Sequence, residues 1–86
     1  MNKWEYLTEM IAADALEESK FLSSTYPGVE FPKFAVQAAM PRLDELGSDG
    51  WELVHMEPVR LGANGDVGDL EYWTNIYFCV FKRPKL

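Results

Sequence analysis

Ten consecutive residues near the C-terminus, Tyr72-Trp73-Thr74-Asn75-Ile76-Tyr77-Phe78-Cys79-Val80-Phe81, carry no charge and are largely apolar at both odd and even positions. Rich in aromatic and β-branched side chains, the run is predicted to be a strand from Tyr72 to Lys82. Left at the edge of a sheet it would template aggregation, so it must lie between two other strands. Its longest apolar stretch, Ile76 to Phe81, is far too short to span a bilayer. Every other element has to be arranged around this strand.

The second constraint is the stretch Leu43-Asp44-Glu45-Leu46-Gly47-Ser48-Asp49-Gly50-Trp51-Glu52-Leu53-Val54. Leu43 and Leu46 share one helical face, and Gly47 stands where a left-handed cap needs a residue without a Cβ, so the helix is predicted to end there. Ser48, Asp49 and Gly50 make the turn. Trp51 then leads a strand predicted to reach about Arg60, and it should fill the corner between helix and sheet. Gly47, Gly50 and Trp51 are thus candidate structural corner residues.

Trp4 to Ile11 alternates bulky and polar side chains and reads as the first strand, with Trp4, Tyr6 and Met10 on the buried side and Lys3, Glu5 and Glu9 on the wet side. Leu7 and Ile11 break that parity. Between Ala12 and Lys33, Asp14 and Glu17 have capping-box spacing for a short helix ending near Ser23-Ser24. Tyr26-Pro27-Gly28 signals a turn, and Phe31 before Pro32 should be extended. Val36, Ala39, Met40, Leu43 and Leu46 then keep one helical stripe from about Phe34 to Leu46, and the phase holds across Pro41, which favours a kinked helix over two separate segments.

These elements give one α+β domain, residues 1–86, of β-α-β-β order. The helical crossover makes the outer strands parallel, and the last strand returns between them through the glycine-rich, acidic connection 61–71, giving a three-stranded antiparallel sheet of spatial order 1-3-2. One helix covers one face. The last strand offers Thr74, Ile76, Phe78 and Val80 to one side and Trp73, Tyr77, Cys79 and Phe81 to the other. The second face, with Trp73, Tyr77, Cys79 and Phe81 as the expected interface, needs either the 12–33 segment or another subunit, and a homodimer is the expected partner.

Charge and chemistry narrow the function. A net charge of −6 repels phosphate backbones and anionic lipid, which argues against nucleic acid and membrane partners. One cysteine permits no internal disulfide, and the N-terminal residues show no apolar leader, so a cytoplasmic setting is expected. A hairpin pairing Arg60 with Tyr72 would bring His55 near Cys79 on one face, the start of a nucleophilic site, but no orienting acid accompanies them. One His and one Cys fall short of a zinc shell. Asn64, Asp66, Asp69 and Glu71 miss the calcium-loop pattern at Gly68 and Asn75. No catalytic, metal or cofactor-binding residue is expected, and no cofactor.

The leading Lys3-Trp4-Glu5-Tyr6, the central stretch from Leu43 to Val54 and the closing Val80-Phe81-Lys82-Arg83-Pro84 resemble the bacterial and phage family called domain of unknown function 4177. These marks cover about a third of the chain. The resemblance implies a compact domain of bacterial or phage origin, and no activity or catalytic residue comes with it. The long 12–33 segment and the acidic hairpin depart from the family pattern. The expectation is therefore a structural or protein-interaction module rather than an enzyme, with a small-ligand-binding domain lidded by residues 12–33 as the alternative.

Overall fold

The computed structural model describes residues 3–59 and 76–86. Its elements are β1 (Trp4–Ala12), α1 (Ser19–Thr25), a 3-10 turn (Val36–Ala39) that runs directly into α2 (Met40–Ser48), β2 (Glu52–Val59) and β3 (Ile76–Pro84). The sheet has the order β1-β3-β2 with both neighbouring pairs antiparallel, as the two-sided apolar strand requires. Residues 60–75, which include Trp73 and the acidic connection, lie outside the described residues.

Register decides which face becomes the core. Leu7 pairs with Phe81, Glu9 with Cys79 and Ile11 with Tyr77, so these side chains share a face. That face lies under α2: Ile11, Ala39, Leu46, Cys79 and Phe81 form the main core, with Leu7, Leu43, Trp51, Met56 and Tyr77 packed around it. Cys79 is 0% and Phe81 1% exposed. Two expectations are therefore corrected. Tyr77, Cys79 and Phe81 belong to the helix-covered face, and the buried side of β1 carries Leu7 and Ile11, while Trp4, Tyr6 and Met10 are exposed. The two residues that broke the parity of β1 mark its true core face.

The helical segment also differs from a kinked α-helix. Ala38 and Ala39 are buried in a tight 3-10 turn, and Pro41 then occupies the first turn of α2, where its missing N–H costs no helical bond. At the other end α2 extends past Gly47. Trp51 N–H donates to the Leu46 carbonyl and Gly50 N–H to the Gly47 carbonyl, each at 3.0 Å. This 6→1 and 5→2 pair is a Schellman cap, with Gly50 at φ +90° as its left-handed residue. The corner glycine is thus Gly50, and Gly47 is an ordinary helical position.

The 12–33 segment builds a second, smaller core beside the 3-10 turn. Asp14 Oδ1 accepts from Leu16 N–H at 2.9 Å, which fixes a turn, and α1 begins only at Ser19 and continues past Ser23-Ser24 to Thr25. Tyr26-Pro27-Gly28-Val29 closes a turn of type II character, with Gly28 at φ +80° and Val29 N–H donating to the Tyr26 carbonyl at 3.3 Å. Ala15, Leu22, Ala35 and Ala38 form the buried centre, flanked by Phe21, Tyr26 and Phe31. Ala35 N–H to the Ala13 carbonyl and Ala15 N–H to the Lys33 carbonyl tie both ends of the segment together. The segment packs on the helical side, so it leaves Tyr6 and Met10 on the other face uncovered.

The two corner glycines should respond with opposite signs. A Cβ at Gly47 meets nothing within 4 Å in a helical backbone, so Gly47→Ala is expected to stabilise by about 0.5–1 kcal/mol. At Gly50 the positive φ strains any L side chain, so Gly50→Ala is expected to destabilise by about 1 kcal/mol or more. Urea unfolding midpoints of the two variants measure both.

Candidate functional site

Three regions distant in sequence meet at one corner of the sheet. Glu5 pairs with Arg83 across β1 and β3, and the Arg83 guanidinium bonds the Glu5 carboxylate. Its Nη1 donates to the Asp49 carbonyl at the end of α2, 3.0 Å away, and its Cζ lies 4.2 Å from the centre of the Trp51 ring. A cation at the C-terminal end of a helix is favoured by the helix dipole, and α2 has no basic residue of its own in the last turn. Trp51 is half-buried against the core with Arg83 over its ring, so truncating it costs less than the full loss of a buried tryptophan. The Arg83 cluster joins strand, helix cap and turn, and its three contacts, with the Glu5 carboxylate, the Asp49 carbonyl and the Trp51 ring, hold the fold together.

A second ion pair crosses from α2 to β1. Arg42 donates from Nε to Glu9 Oε2 at 2.5 Å and from Nη2 to Glu9 Oε1 at 2.7 Å, and from Nη1 to Glu45 at 3.0 Å. This forked pairing lets a carboxylate sit on the core side of β1, between Leu7 and Ile11. The Arg42 hydrogen bonds hold the Glu9 carboxyl below its ordinary range against the opposing effect of burial, and Arg42 itself is raised further. Cys79, opposite Glu9, is pushed up by burial and then by the Glu9 charge, so its thiol is the unreactive form.

The expected closeness of His55 and Cys79 does not occur. A bulge between Leu53 and His55 shifts the ladder, so Leu53 pairs with Phe81, His55 with Val80 and Met56 with Cys79. The imidazole and the thiol therefore point to opposite faces of the sheet. His55 lies 3.6 Å from Glu57, with both side chains more than half exposed. Among the described residues no three His, Cys, Asp or Glu side chains gather closely enough to hold a metal ion. Asn64, Asp66, Asp69 and Glu71 lie outside the described residues. No helix among the described residues is long and apolar enough to cross a membrane.

Two surfaces stand out among the described residues. The face of the sheet opposite α2 presents Trp4, Tyr6, Thr8 and Met10 from β1 and Ile76, Phe78 and Val80 from β3, with Tyr6 64% and Met10 54% exposed. Its rim is charged: Lys82 stacks over the Trp4 ring at 4.4 Å and reaches Glu52 at 3.9 Å. The other surface is an open groove of about 490 Å³ within the 12–33 segment, walled by Ala15, Leu16, Leu22, Val29, Phe31 and Pro32 with Lys33 at its edge. Neither brings together an acid, a base and a nucleophile. The signal for the open face was present in β1 as the exposed series Trp4, Tyr6 and Met10, but those positions had been expected inside.

Fold and surfaces together define a small α+β domain in which, among the described residues, helices cover one face of a three-stranded antiparallel sheet, and the other face carries Trp4, Tyr6, Met10 and Phe78 beside His55 and Glu57 of β2. No family model matches the chain, and no curated protein or solved structure matches it either.

The Glu9–Arg42 pair gives a signed pH prediction. Because the folded carboxyl is depressed, its stabilisation is full above the unfolded carboxylate pKa of about 4.3 and is lost as pH falls from there through the lower folded value. Tm measured from pH 7 to pH 3 is expected to fall less steeply in Glu9→Gln than in the wild type over the acidic part of that range, while Glu9→Gln is the less stable protein at pH 7.

Proposed function

We propose that this chain is a non-enzymatic, cytoplasmic protein-interaction module that self-associates through the open face of its sheet. One observation carries this: among the described residues a central strand apolar on both sides has a helix layer on one side only, and Tyr6 and Met10 stand exposed on the other. The interface first expected at Trp73, Tyr77, Cys79 and Phe81 moves to Trp4, Tyr6, Met10, Phe78 and Val80. A homodimer uses the patch twice and needs no second protein. Its charged rim, Lys82 and Glu52, provides opposite signs for a two-fold arrangement, while the net charge of −6 opposes association at long range and makes it stronger as salt rises.

The resemblance to the domain of unknown function 4177 family supports the same reading. Its marks, Lys3 to Tyr6, Leu43 to Val54 and Val80 to Pro84, are the segments that Arg83 and Lys82 draw together. Such residues hold a corner of a fold, and none of them is arranged for catalysis. We extend the proposal to membership of that family and to a bacterial or phage origin.

Light scattering over a dilution series tests the reading. The wild type is expected to show a dimer that dissociates on dilution, and Phe78→Thr, which keeps a strand-forming residue while removing the aromatic ring from the open face, is expected to raise the dissociation constant about tenfold or more. A wild type that stays monomeric at high concentration and high salt would overturn it.

The groove favours a second reading, a small apolar ligand held within the 12–33 segment rather than beneath it. A rise in Tm with an apolar amphiphile, abolished by Leu16→Glu, would select it.

A further inference from the structure

The sheet has two edges, and they are built differently. On β2 the ladder is broken by the bulge between Leu53 and His55, Pro58 has no N–H to offer, and Glu52 and Glu57 keep their carboxylates 69% and 57% exposed. Each of these blunts an edge against pairing. On β1 nine residues run from Trp4 to Ala12 without proline or bulge, and their pairing with β3 is unbroken. Its two charges do not guard the edge, because Glu5 is engaged by Arg83 and Glu9 by Arg42 on the helix side.

Hydrogen-bond parity shows what the β1 edge presents. Lys85 N–H donates to the Lys3 carbonyl at 2.9 Å, which makes Lys3 opposite Lys85 a hydrogen-bonded pair. Antiparallel ladders alternate, so Glu5, Leu7, Glu9 and Ile11 bond toward β3. The N–H and C=O groups of Trp4, Tyr6, Thr8, Met10 and Ala12 therefore point outward, and among the described residues nothing bonds them. Pro84, opposite Trp4, sits where β1 asks for no N–H.

We propose that β1 pairs with β1 of a second copy, antiparallel about a two-fold axis at Thr8, joining two sheets into one of six strands. The sequence of β1 selects this register. With Thr8 facing Thr8 of the second copy, all nine residues are paired, and the outward groups of the even positions meet one another. Tyr6 then faces Met10 of the second copy on the open face, a sulfur–aromatic pair. On the helix face Glu5 faces Ile11, and Glu9 faces Leu7, so no carboxylate opposes another. Shifting the second copy by two residues either way pairs only seven of the nine residues and sets Glu5 against Glu9 or Glu9 against Glu9, crowding carboxylates already held by guanidinium groups. Larger shifts leave only about half of the strand paired.

This contact goes beyond the open-face reading and does not rest on it. Edge pairing places the two open faces side by side on one surface, and it satisfies main-chain groups where the face contact would bury side chains.

Cross-linking at the axis tests it. Directly opposed, hydrogen-bonded residues have Cα atoms about 5.5 Å apart, within disulfide range. Thr8→Cys, incubated with oxidised glutathione as the acceptor of the two electrons and two protons, is expected to give a covalent dimer at concentrations where the protein self-associates. Tyr6→Cys should not, because the two copies of residue 6 lie four positions apart along the ladder. The native Cys79 is 0% exposed and serves as an internal control. Absence of the Thr8→Cys dimer, or equal cross-linking by Tyr6→Cys, overturns the register. In light scattering, Thr8→Lys, which sets two ammonium groups face to face at an exposed position, is expected to raise the dissociation constant about tenfold or more. Loss of association in Thr8→Lys with retention in Phe78→Thr upholds the edge contact and rejects the open-face reading. The reverse pattern rejects the edge contact and upholds the face, and a wild type monomeric throughout overturns both.

Discussion

A single helical layer can cover only one side of a sheet, and in this chain the central strand is apolar on both. Alternation along β3 sends Tyr77, Cys79 and Phe81 to one side and Ile76, Phe78 and Val80 to the other. The helix takes the first set, and Phe81 and Cys79 become the largest fully buried side chains of the described residues. The placement of α2, the wedge of alanines at the 3-10 turn and the Schellman cap that turns the chain into β2 all follow from filling that side. Small side chains at Ala38 and Ala39 allow the close approach, and the second core of Ala15, Leu22 and Ala35 continues the same layer outward.

The choice between the two sides was not legible in β3, since either set would make a core. It had to come from β1, where the charges misled. Glu5 and Glu9 look like outward positions, yet both lie on the helix side because Arg83 and Arg42 reach them from elsewhere in the chain. A carboxylate with a forked guanidinium partner no longer reports the solvent side, and that partner is more than thirty residues away. Leu7 and Ile11 carried the correct signal. By contrast, the strand order, the antiparallel pairing and the helix-to-strand junction were legible, because they depend on local turn chemistry and on the need to bury a strand that has no charged edge.

The junction shows the same division at finer scale. Leu46 and Trp51 were recognisable as its two apolar anchors, and they are the residues bridged by the 6→1 hydrogen bond. Which glycine would take the positive φ was not fixed by composition, since Gly47 and Gly50 both lie between the apolar anchors Leu46 and Trp51. The cap settles on Gly50 because that spacing lets Trp51 return over Leu46 while Arg83 covers its outer face. The bulge at Leu53 and His55 was similarly hidden, and its consequence is chemical: one inserted residue moves His55 to the face opposite Cys79 and removes the nucleophile pair that a regular ladder would have suggested.

Ion pairing also explains why, among the described residues, one edge of this sheet is open. Edge strands usually keep charged side chains free to repel a second strand. In β1 the same glutamates that would serve this purpose have been recruited to tie the strand to α2 and to the helix cap, so the interactions that stabilise the monomer remove its protection against pairing. β2 keeps Glu52, Glu57, Pro58 and a bulge at its outer edge. The asymmetry follows from which strand lies under the basic residues of the helix layer and of the β3 terminus. A chain that needed to remain monomeric could hold its corner with an apolar contact in place of Glu5 and Arg83 and leave a free charge on the edge; this one places the ion pairs where they close the fold and leave the main chain of β1 available.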